Sequence, residues 1–213
     1  MSVFDPILRV YELGGPVIML LILVSIGTLA LIFYKTWQYH GARVGRDDAI
    51  RETLAHWDAG RRGDAMTRIT SSRHFLAPVV QLGLEIAGED AAKSRLESEA
   101  ERKLNRLEKG FRVLDTVAQL APLLGLFGTV LGMIEAFQAL QDGGSQVDPS
   151  ALAGGIWVAL LTTAAGLAVA MPTSIALSWF EARIDGERLR AEHAFSVLAA
   201  PAPSASDTPD NET

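Results

Sequence analysis

The chain has 213 residues, of which 49% are hydrophobic and 21% are charged, and its formal net charge is −6 at pH 7. This negative charge argues against a nucleic-acid-binding protein, which usually carries a basic patch. Without cysteine, the sequence has neither a disulfide framework nor a thiolate metal site. We expect no metal and no cofactor, and we expect all four histidines to lie on the solvated surface, since they show no ligand spacing: His40, His56, His74 and His193.

Three long apolar blocks dominate the chain, at residues 16–34, 113–139 and 151–180. Each is long enough for a membrane-spanning helix, which needs about 20 mostly apolar residues. A soluble helical bundle is the alternative, but its helices rarely stay uncharged for the length of the third block. The pattern predicts an all-α membrane protein with three transmembrane helices, long cytoplasmic helical extensions and a helical cytoplasmic domain.

The basic residues indicate the orientation of the three spans. Arg9 alone precedes the first span, none lies between Gln141 and Ser150, and most of the others lie between spans one and two. Loops rich in Lys and Arg stay in the cytoplasm. We therefore expect the N-terminus on the periplasmic side and the C-terminus in the cytoplasm. No cleavage site of small residues follows the first span before Lys35, so we expect this span to remain as an anchor.

Four shorter segments flank the spans. Residues 1–15 have the apolar spacing of an amphipathic helix at the periplasmic interface. Residues 140–150 are rich in Gly, Asp and Pro and read as a periplasmic loop. Residues 181–199 continue the third span as a cytoplasmic helix. Residues 200–213 are rich in Pro, Ser, Ala and Asp, which predicts a disordered tail.

The segment at residues 35–112 is predicted to be the cytoplasmic helical domain. Its apolar residues recur near helical spacing in several short stretches. From Ala91 no helix breaker occurs until Gly110, and we expect one long helix that runs directly into the second span. Its charged residues predict a solvent-exposed face on this helix.

Small residues recur at helical spacing in spans two and three. In lipid, helices associate through close packing, which small residues permit. We predict that six of them pack the helices together: Gly125, Gly128, Gly132, Gly155, Ala159 and Gly166.

Two hydroxyl groups accompany these small residues. At about 1.5 Å per residue, Thr129 and Thr163 each lie about 18 Å below the outer boundary of the membrane. A threonine in a membrane helix also commonly bonds its own backbone, so one alone is weak evidence for a site. Two at a shared level are what a polar ring around a pore would require.

The only acid well inside a span is Glu135. It lies about 9 Å from the outer boundary by the same rise. An intramembrane acid is a functional candidate by default, although an interfacial structural role also fits this shallow depth. No carboxylate shares the level of the threonines. If protons cross here, another chain must supply the group that titrates.

The stretch A-P-L-L-G-L-F-G-T-V-L-G-M-I, residues 121–134, resembles the second membrane helix of the MotA/TolQ/ExbB proton-channel family, and of its ExbB/TolQ branch in particular. Residues 155–172, G-I-W-V-A-L-L-T-T-A-A-G-L-A-V-A-M-P, resemble its third helix. This resemblance implies an inner-membrane motor subunit, a homopentamer around a dimer of an ExbD/TolR-like single-span partner that carries a membrane aspartate.

The resemblance also implies functions for particular residues. The pore threonines of the family fall on Thr129 and Thr163, and we include the neighbouring Thr162 in the predicted ion pathway. Many ExbB and TolQ proteins carry a glutamate five residues before the third-helix threonine, where this chain has Val158. Glu135 is then a possible accessory acid that replaces it, since the two positions have similar estimated depths.

Three functions remain open at this point. The first is a proton-channel subunit that energises TonB-dependent outer-membrane transport, together with a TonB-like protein. The second is a TolQ-like subunit of the Tol-Pal system, with a TolA-like protein, and the third is a membrane scaffold that conducts nothing. A flagellar-type stator is disfavoured, because those proteins have four spans. No nucleophile and base or metal-ligand arrangement predicts an enzyme.

Overall fold

The computed structural model describes residues 4–87, 92–142 and 149–199, and within them the chain forms seven helices and no β-strand. Three helices contain segments long and apolar enough to cross a membrane, Gly15–Ala42, Phe111–Gln141 and Leu152–Ala199. The predicted fold class, an all-α membrane protein with three apolar helices, is confirmed. The helices are α1 (Phe4–Ala42), α2 (Asp48–Asp58), α3 (Arg62–Thr70), α4 (Ala77–Glu85), α5 (Ala92–Glu108), α6 (Phe111–Asp142) and α7 (Pro149–Ala199).

Some predicted segments lie wholly or partly on residues outside the described ranges. The predicted tail at residues 200–213 and most of the predicted loop at residues 140–150 lie outside the described residues. Residues 1–3 and the side chains of residues 4–14 do as well, so the predicted amphipathic face of residues 1–15 stays a prediction. The backbone of α1 is helical from Phe4, with a kink at Gly15, where φ is 63°.

The chain divides into two compact units. The first, here called the membrane unit, comprises Met1–Tyr34 and Gly110–Ser178, and the second, the charged unit, comprises Lys35–Lys109 and Trp179–Thr213. Helices α1 and α7 contribute residues to both.

The core of the membrane unit is small. Val17 and Leu21 of α1 pack with Ala121 of α6 and Ala170 of α7. Many large apolar side chains of this unit are exposed, and examples are Leu23, Phe33 and Ile175. An apolar surface of this extent marks contact with lipid or with other protein chains.

The charged unit has a larger and continuous apolar core. Helices α2 to α5 pack with the C-terminal part of α7, as their amphipathic spacing requires. The buried residues of this core are Ile50, Leu54, Trp57, Ala65, Ile69, Leu76, Ala77, Val79, Val80, Leu84, Leu96, Ala100, Ala191, Ala194, Phe195 and Leu198.

The prediction of one continuous helix from Ala91 into the second span is wrong. Helix α5 ends at Glu108 and α6 begins at Phe111, with Gly110 between them at a φ of 97°. Glycine takes this left-handed conformation without the steric cost that a Cβ imposes, and it commonly ends helices for that reason. The charged face of α5 gave no sign of a break, because helical spacing continues across it.

A buried lysine stabilises the end of α5. The Nζ of Lys35 donates hydrogen bonds to the carbonyl oxygen of Leu107 at 2.8 Å and to Oε1 of Gln38 at 2.9 Å. Lys35 is only 1% exposed. The last carbonyls of a helix lack partners within it, and a cation placed there supplies a donor and complements the helix dipole.

The first of our predictions concerns this contact. Lys35→Met should lower the free energy of unfolding by about 1–3 kcal/mol, because a buried carbonyl loses its charged donor. Thermal unfolding of the purified protein in detergent measures the effect. Lys109→Met, which removes an exposed lysine of the same unit, serves as the control and should change stability by less than about 0.5 kcal/mol. Equal effects of the two variants would contradict the assignment.

Candidate functional site

Helices α6 and α7 approach each other closely within the membrane unit. A Cβ placed on Gly125 would lie 2.8 Å from the carbonyl oxygen of Thr162, and one on Gly128 would lie 2.7 Å from the Cβ of Thr162. A Cβ on Gly166 would lie 2.5 Å from the carbonyl oxygen of Ala121. Any side chain at these positions would therefore force the two backbones apart.

The same contact continues along both helices. A Cβ on Gly132 would lie 3.4 Å from the carbonyl oxygen of Gly155, and Gly155 itself packs against Ala136. Ala159, which is 4% exposed, lies beside Gly132. All six residues predicted to pack helices together lie on this one contact between α6 and α7. Such small-residue contacts are how helices associate where no hydrophobic driving force separates protein from lipid.

The three candidate threonines have different surroundings. Thr162 is 1% exposed and donates to the carbonyl oxygen of Ala159 at 2.7 Å. Thr129 is half-buried and donates to the carbonyl oxygen of Leu126 at 2.7 Å. Thr163 is half-buried, and its hydroxyl lies 3.5 Å from the carbonyl oxygen of Gly125 on the facing helix.

The contact between α6 and α7 also fixes their relative register. Gly128 packs on Thr162 and Gly132 on Ala159, so Thr129 lies level with residues 161–162 of α7. Thr163 is one to two residues deeper, an offset of about 2 Å. The two hydroxyls thus lie within one helical turn of each other along the helix axis.

The same register relates Glu135 to Val158, the position that this acid is predicted to replace. Glu135 precedes Ala136, which packs on Gly155, so Glu135 lies level with about residue 156 of α7, and Val158 is about two residues deeper, roughly 3 Å. The similar depth of these two positions therefore stays a prediction. Glu135 is exposed and forms no hydrogen bond or ion pair with any described residue.

A buried ionic cluster in the charged unit was not predicted. Glu187 of α7 is fully buried, and its Oε1 accepts hydrogen bonds from the amide of Gly45 at 2.6 Å and from Arg190 at 2.9 Å. Its Oε2 lies 3.4 Å from Nε2 of His74. The prediction that His74 lies on the surface is wrong, since this residue is 3% exposed. Only the tertiary fold brings it to Glu187, so no local sequence signal marked it.

Glu187 joins three parts of the charged unit: the turn after α1, the turn before α4, and α7 itself. A buried carboxylate is costly unless its oxygens are paired, and a broken pair leaves an uncompensated charge. Within the described residues, no group of three or more His, Asp or Glu side chains has the geometry to hold a metal ion. The cluster links these three parts of the unit through one buried carboxylate.

Comparisons with known proteins identify relatives over most of the chain. The MotA/TolQ/ExbB proton channel family matches residues 70–193. The chain is 34% identical to the biopolymer transport protein ExbB-like 1 of Synechocystis sp. over 165 residues, 74% of this chain and 64% of the relative. It is 30% identical to an ExbB homolog of Methanothermobacter thermautotrophicus over 189 residues, 86% of this chain and 66% of the relative.

A shorter match extends to the other branch of the family. The Tol-Pal system protein TolQ of Haemophilus influenzae is 40% identical over 84 residues, 39% of this chain and 36% of that protein. The chain spans slightly less than two thirds of the length of the Synechocystis and Methanothermobacter relatives.

The glycine contact gives a second prediction. Gly166→Ala should lower the free energy of unfolding by about 1–3 kcal/mol, because its methyl group has no space beside the backbone of Ala121. Gly154→Ala is the matched control. No atom lies within 4 Å of its added Cβ, and alanine favours a helix by up to about 1 kcal/mol over glycine.

Thermal unfolding in detergent, followed by circular dichroism, compares the two glycine variants. The close-contact assignment requires a lower midpoint for Gly166→Ala and an unchanged or higher midpoint for Gly154→Ala. An unchanged midpoint for Gly166→Ala would show that the two helices do not approach this closely.

Proposed function

Because the chain belongs to the MotA/TolQ/ExbB proton channel family, we propose that it is the multi-span subunit of an ExbB/TolQ-type proton channel in the bacterial inner membrane. The observation that carries this proposal is the close α6–α7 contact. It holds Thr129 and Thr163 within one helical turn of each other along the helix axis. The channel converts proton-motive force into movement of an envelope machine.

In this proposal Thr129 and Thr163 line the proton path. Both are half-buried in the single chain, so each keeps a side that a neighbouring subunit or water can reach. A hydroxyl that already donates to a backbone carbonyl still has lone pairs to accept a hydrogen bond from water or from a protonated carboxyl group. Thr162 has no such access, and we assign it to packing against Gly128, although it was also a candidate for the path.

The proton-accepting group comes from a partner in this proposal. Thr129 and Thr163 do not titrate near neutral pH, and the acid of the spans, Glu135, lies about 9 Å from Thr129 by helical rise. A single-span ExbD/TolR-like partner with a membrane aspartate supplies the missing carboxylate. The exposed apolar surface of the membrane unit supports assembly with further chains, and we propose a homopentamer around a partner dimer.

The basic residues support the orientation of the subunit. Lys35, Arg43 and Arg46 follow the first span, and Arg106, Lys109 and Arg112 precede the second. Under the positive-inside rule the charged unit lies in the cytoplasm, and the N-terminus is periplasmic.

Between the two envelope systems, we propose the TonB-dependent one. The ExbB-named relatives match 74% and 86% of the chain, and the TolQ protein matches 39%. A TonB-like protein is then the further partner, and a TolQ-like subunit acting with a TolA-like protein is the second candidate. Val158, in place of the glutamate of many family members, favours the third candidate, a scaffold that conducts nothing.

The third prediction tests the proton path. Thr129→Val and Thr163→Val should each lower proton flux by about tenfold or more, because a hydrogen bond to a charged group contributes about 1.5–3 kcal/mol. Flux is measured in proteoliposomes that contain the chain and its single-span partner. Thr116→Val is the control, since this exposed threonine donates to the carbonyl of Arg112 near the start of α6.

Co-purification of the partner with each threonine variant shows that assembly survives. Unchanged flux in both Thr129→Val and Thr163→Val would exclude the proposed path. No flux in the unaltered complex would favour the scaffold.

The fourth prediction concerns Glu135. If this acid replaces the missing glutamate, Glu135→Gln should reduce proton flux, and adding Val158→Glu to that variant should restore it. The substitution to glutamine keeps the shape of the side chain and removes its charge. Gln138→Ala, which changes an exposed residue of the same helix, is the control. Full flux in Glu135→Gln would remove Glu135 from the mechanism.

A further inference from the structure

A pocket of about 310 Å³ lies in the charged unit, beside the C-terminal end of α1 and the part of α7 that begins at Trp179. Its volume falls within the range of small-molecule sites, about 300–1,000 Å³. The lining residues are Thr36, Tyr39, His40, Val44, Gly45, Arg46, Trp179 and Arg183.

The charges in the lining have one sign. Arg46, Arg183 and His40 are the lining residues that can carry a positive charge, and no acidic residue is among the lining residues. Neither guanidinium forms an ion pair with a carboxylate among the described residues. Arg183 lies over the ring of Trp179, with 5.2 Å from its Cζ to the ring centroid. This cation–π contact positions the guanidinium, whose N–H donors lie in its own plane.

The backbone that carries Arg46 is held in a defined turn. The amide of Arg43 donates to the carbonyl of His40 at 3.2 Å, and the amide of Val44 donates to the carbonyl of Tyr39 at 3.2 Å. These two bonds form a Schellman motif, with Arg43 in the left-handed region at a φ of 56°. They satisfy the carbonyls of Tyr39 and His40 near the end of α1.

The next residue brings the turn and α7 together. The amide of Gly45 donates to buried Glu187, and a Cβ on Gly45 would lie 3.0 Å from Nη1 of Arg183. The turn that precedes Arg46 and the guanidinium of Arg183 therefore lie close together.

The pocket also lies near the predicted membrane boundary. Helix α1 continues from the first span, so His40 lies six residues past Tyr34, a rise of about 9 Å. Trp37, which is 77% exposed, and Trp179 occur at this level of α1 and at the corresponding end of the third span. Tryptophan is enriched at the headgroup level of membranes. Basic pockets at the cytoplasmic ends of membrane helices suit lipid headgroups.

We propose that this pocket binds the phosphate of an anionic phospholipid headgroup from the cytoplasmic leaflet. Arg46 and Arg183 donate to the phosphate oxygens, since a guanidinium presents paired N–H donors that match them. His40 adds a third donor. Inorganic phosphate has the same recognition chemistry, but the position of the pocket at the level of the headgroups favours the lipid as its source.

The fifth prediction tests this site on the full chain in detergent. Native mass spectrometry and thermal unfolding are recorded with short-chain phosphatidylglycerol, with phosphatidylcholine of the same chain length, and with inorganic phosphate. Phosphatidylglycerol should bind and raise the unfolding midpoint, and the other two should not. The double variant Arg46→Gln/Arg183→Gln should weaken this binding by about an order of magnitude, because each basic residue near an anionic lipid contributes about 1 kcal/mol.

Arg106→Gln is the matched control, because it removes an exposed charge from α5 in the same unit. Retained binding in Arg106→Gln, with loss in the double variant, supports the site. Equal loss in both would assign the binding to general surface charge and overturn the proposal. Equal protection by inorganic phosphate would show a soluble-anion site, and an absence of phosphatidylglycerol binding would also overturn it. Unchanged unfolding of the variants without lipid establishes that they fold.

Discussion

The close approach of α6 and α7 is the constraint on which the candidate site depends. In lipid, two helices gain little from burying apolar side chains against each other, because the surrounding tails are equally apolar. They associate where their backbones can come close, and Gly125, Gly128 and Gly166 permit this over several turns. The rest of the site follows from this contact: the register of the helices, the burial of Thr162, and the half-exposed positions of Thr129 and Thr163.

The charged unit is stabilised differently from the membrane unit, because its helices pack around a continuous apolar core. The ends of its helices carry backbone groups that need polar partners, and buried charged side chains supply them. Lys35 satisfies the end of α5, and Glu187 binds the turn after α1 to α7. Each of these side chains is at most 1% exposed, so each is held where an unpaired charge would be costly. This pairing sets the turn that brings Gly45 against Arg183.

The sequence was informative where the signal is local. Apolar blocks of sufficient length predicted the three spans, and the spacing of small residues predicted the face on which α6 and α7 meet. It was less informative where distant residues decide the outcome. The sequence around His74 predicts a surface position, because nothing near it indicates the contact with Glu187. The sequence does not predict a break at Gly110, because the charged helical periodicity of α5 continues up to this residue. The axial register of α6 against α7 also depends on how the two helices pack, which a depth counted from a loop does not include.

The central claim is that Thr129 and Thr163 face an aqueous path, and cysteine accessibility tests it most directly. The chain has no native cysteine, so Thr129→Cys and Thr163→Cys can each be introduced alone and treated with a small, charged, membrane-impermeant thiol reagent in membranes that contain the partner. Leu23→Cys, at an exposed apolar position of α1, reports reaction from the lipid side. The account predicts that the cysteines at 129 and 163 react and that the cysteine at 23 does not. Unreactive cysteines at both 129 and 163, or equal reaction at all three, would contradict it.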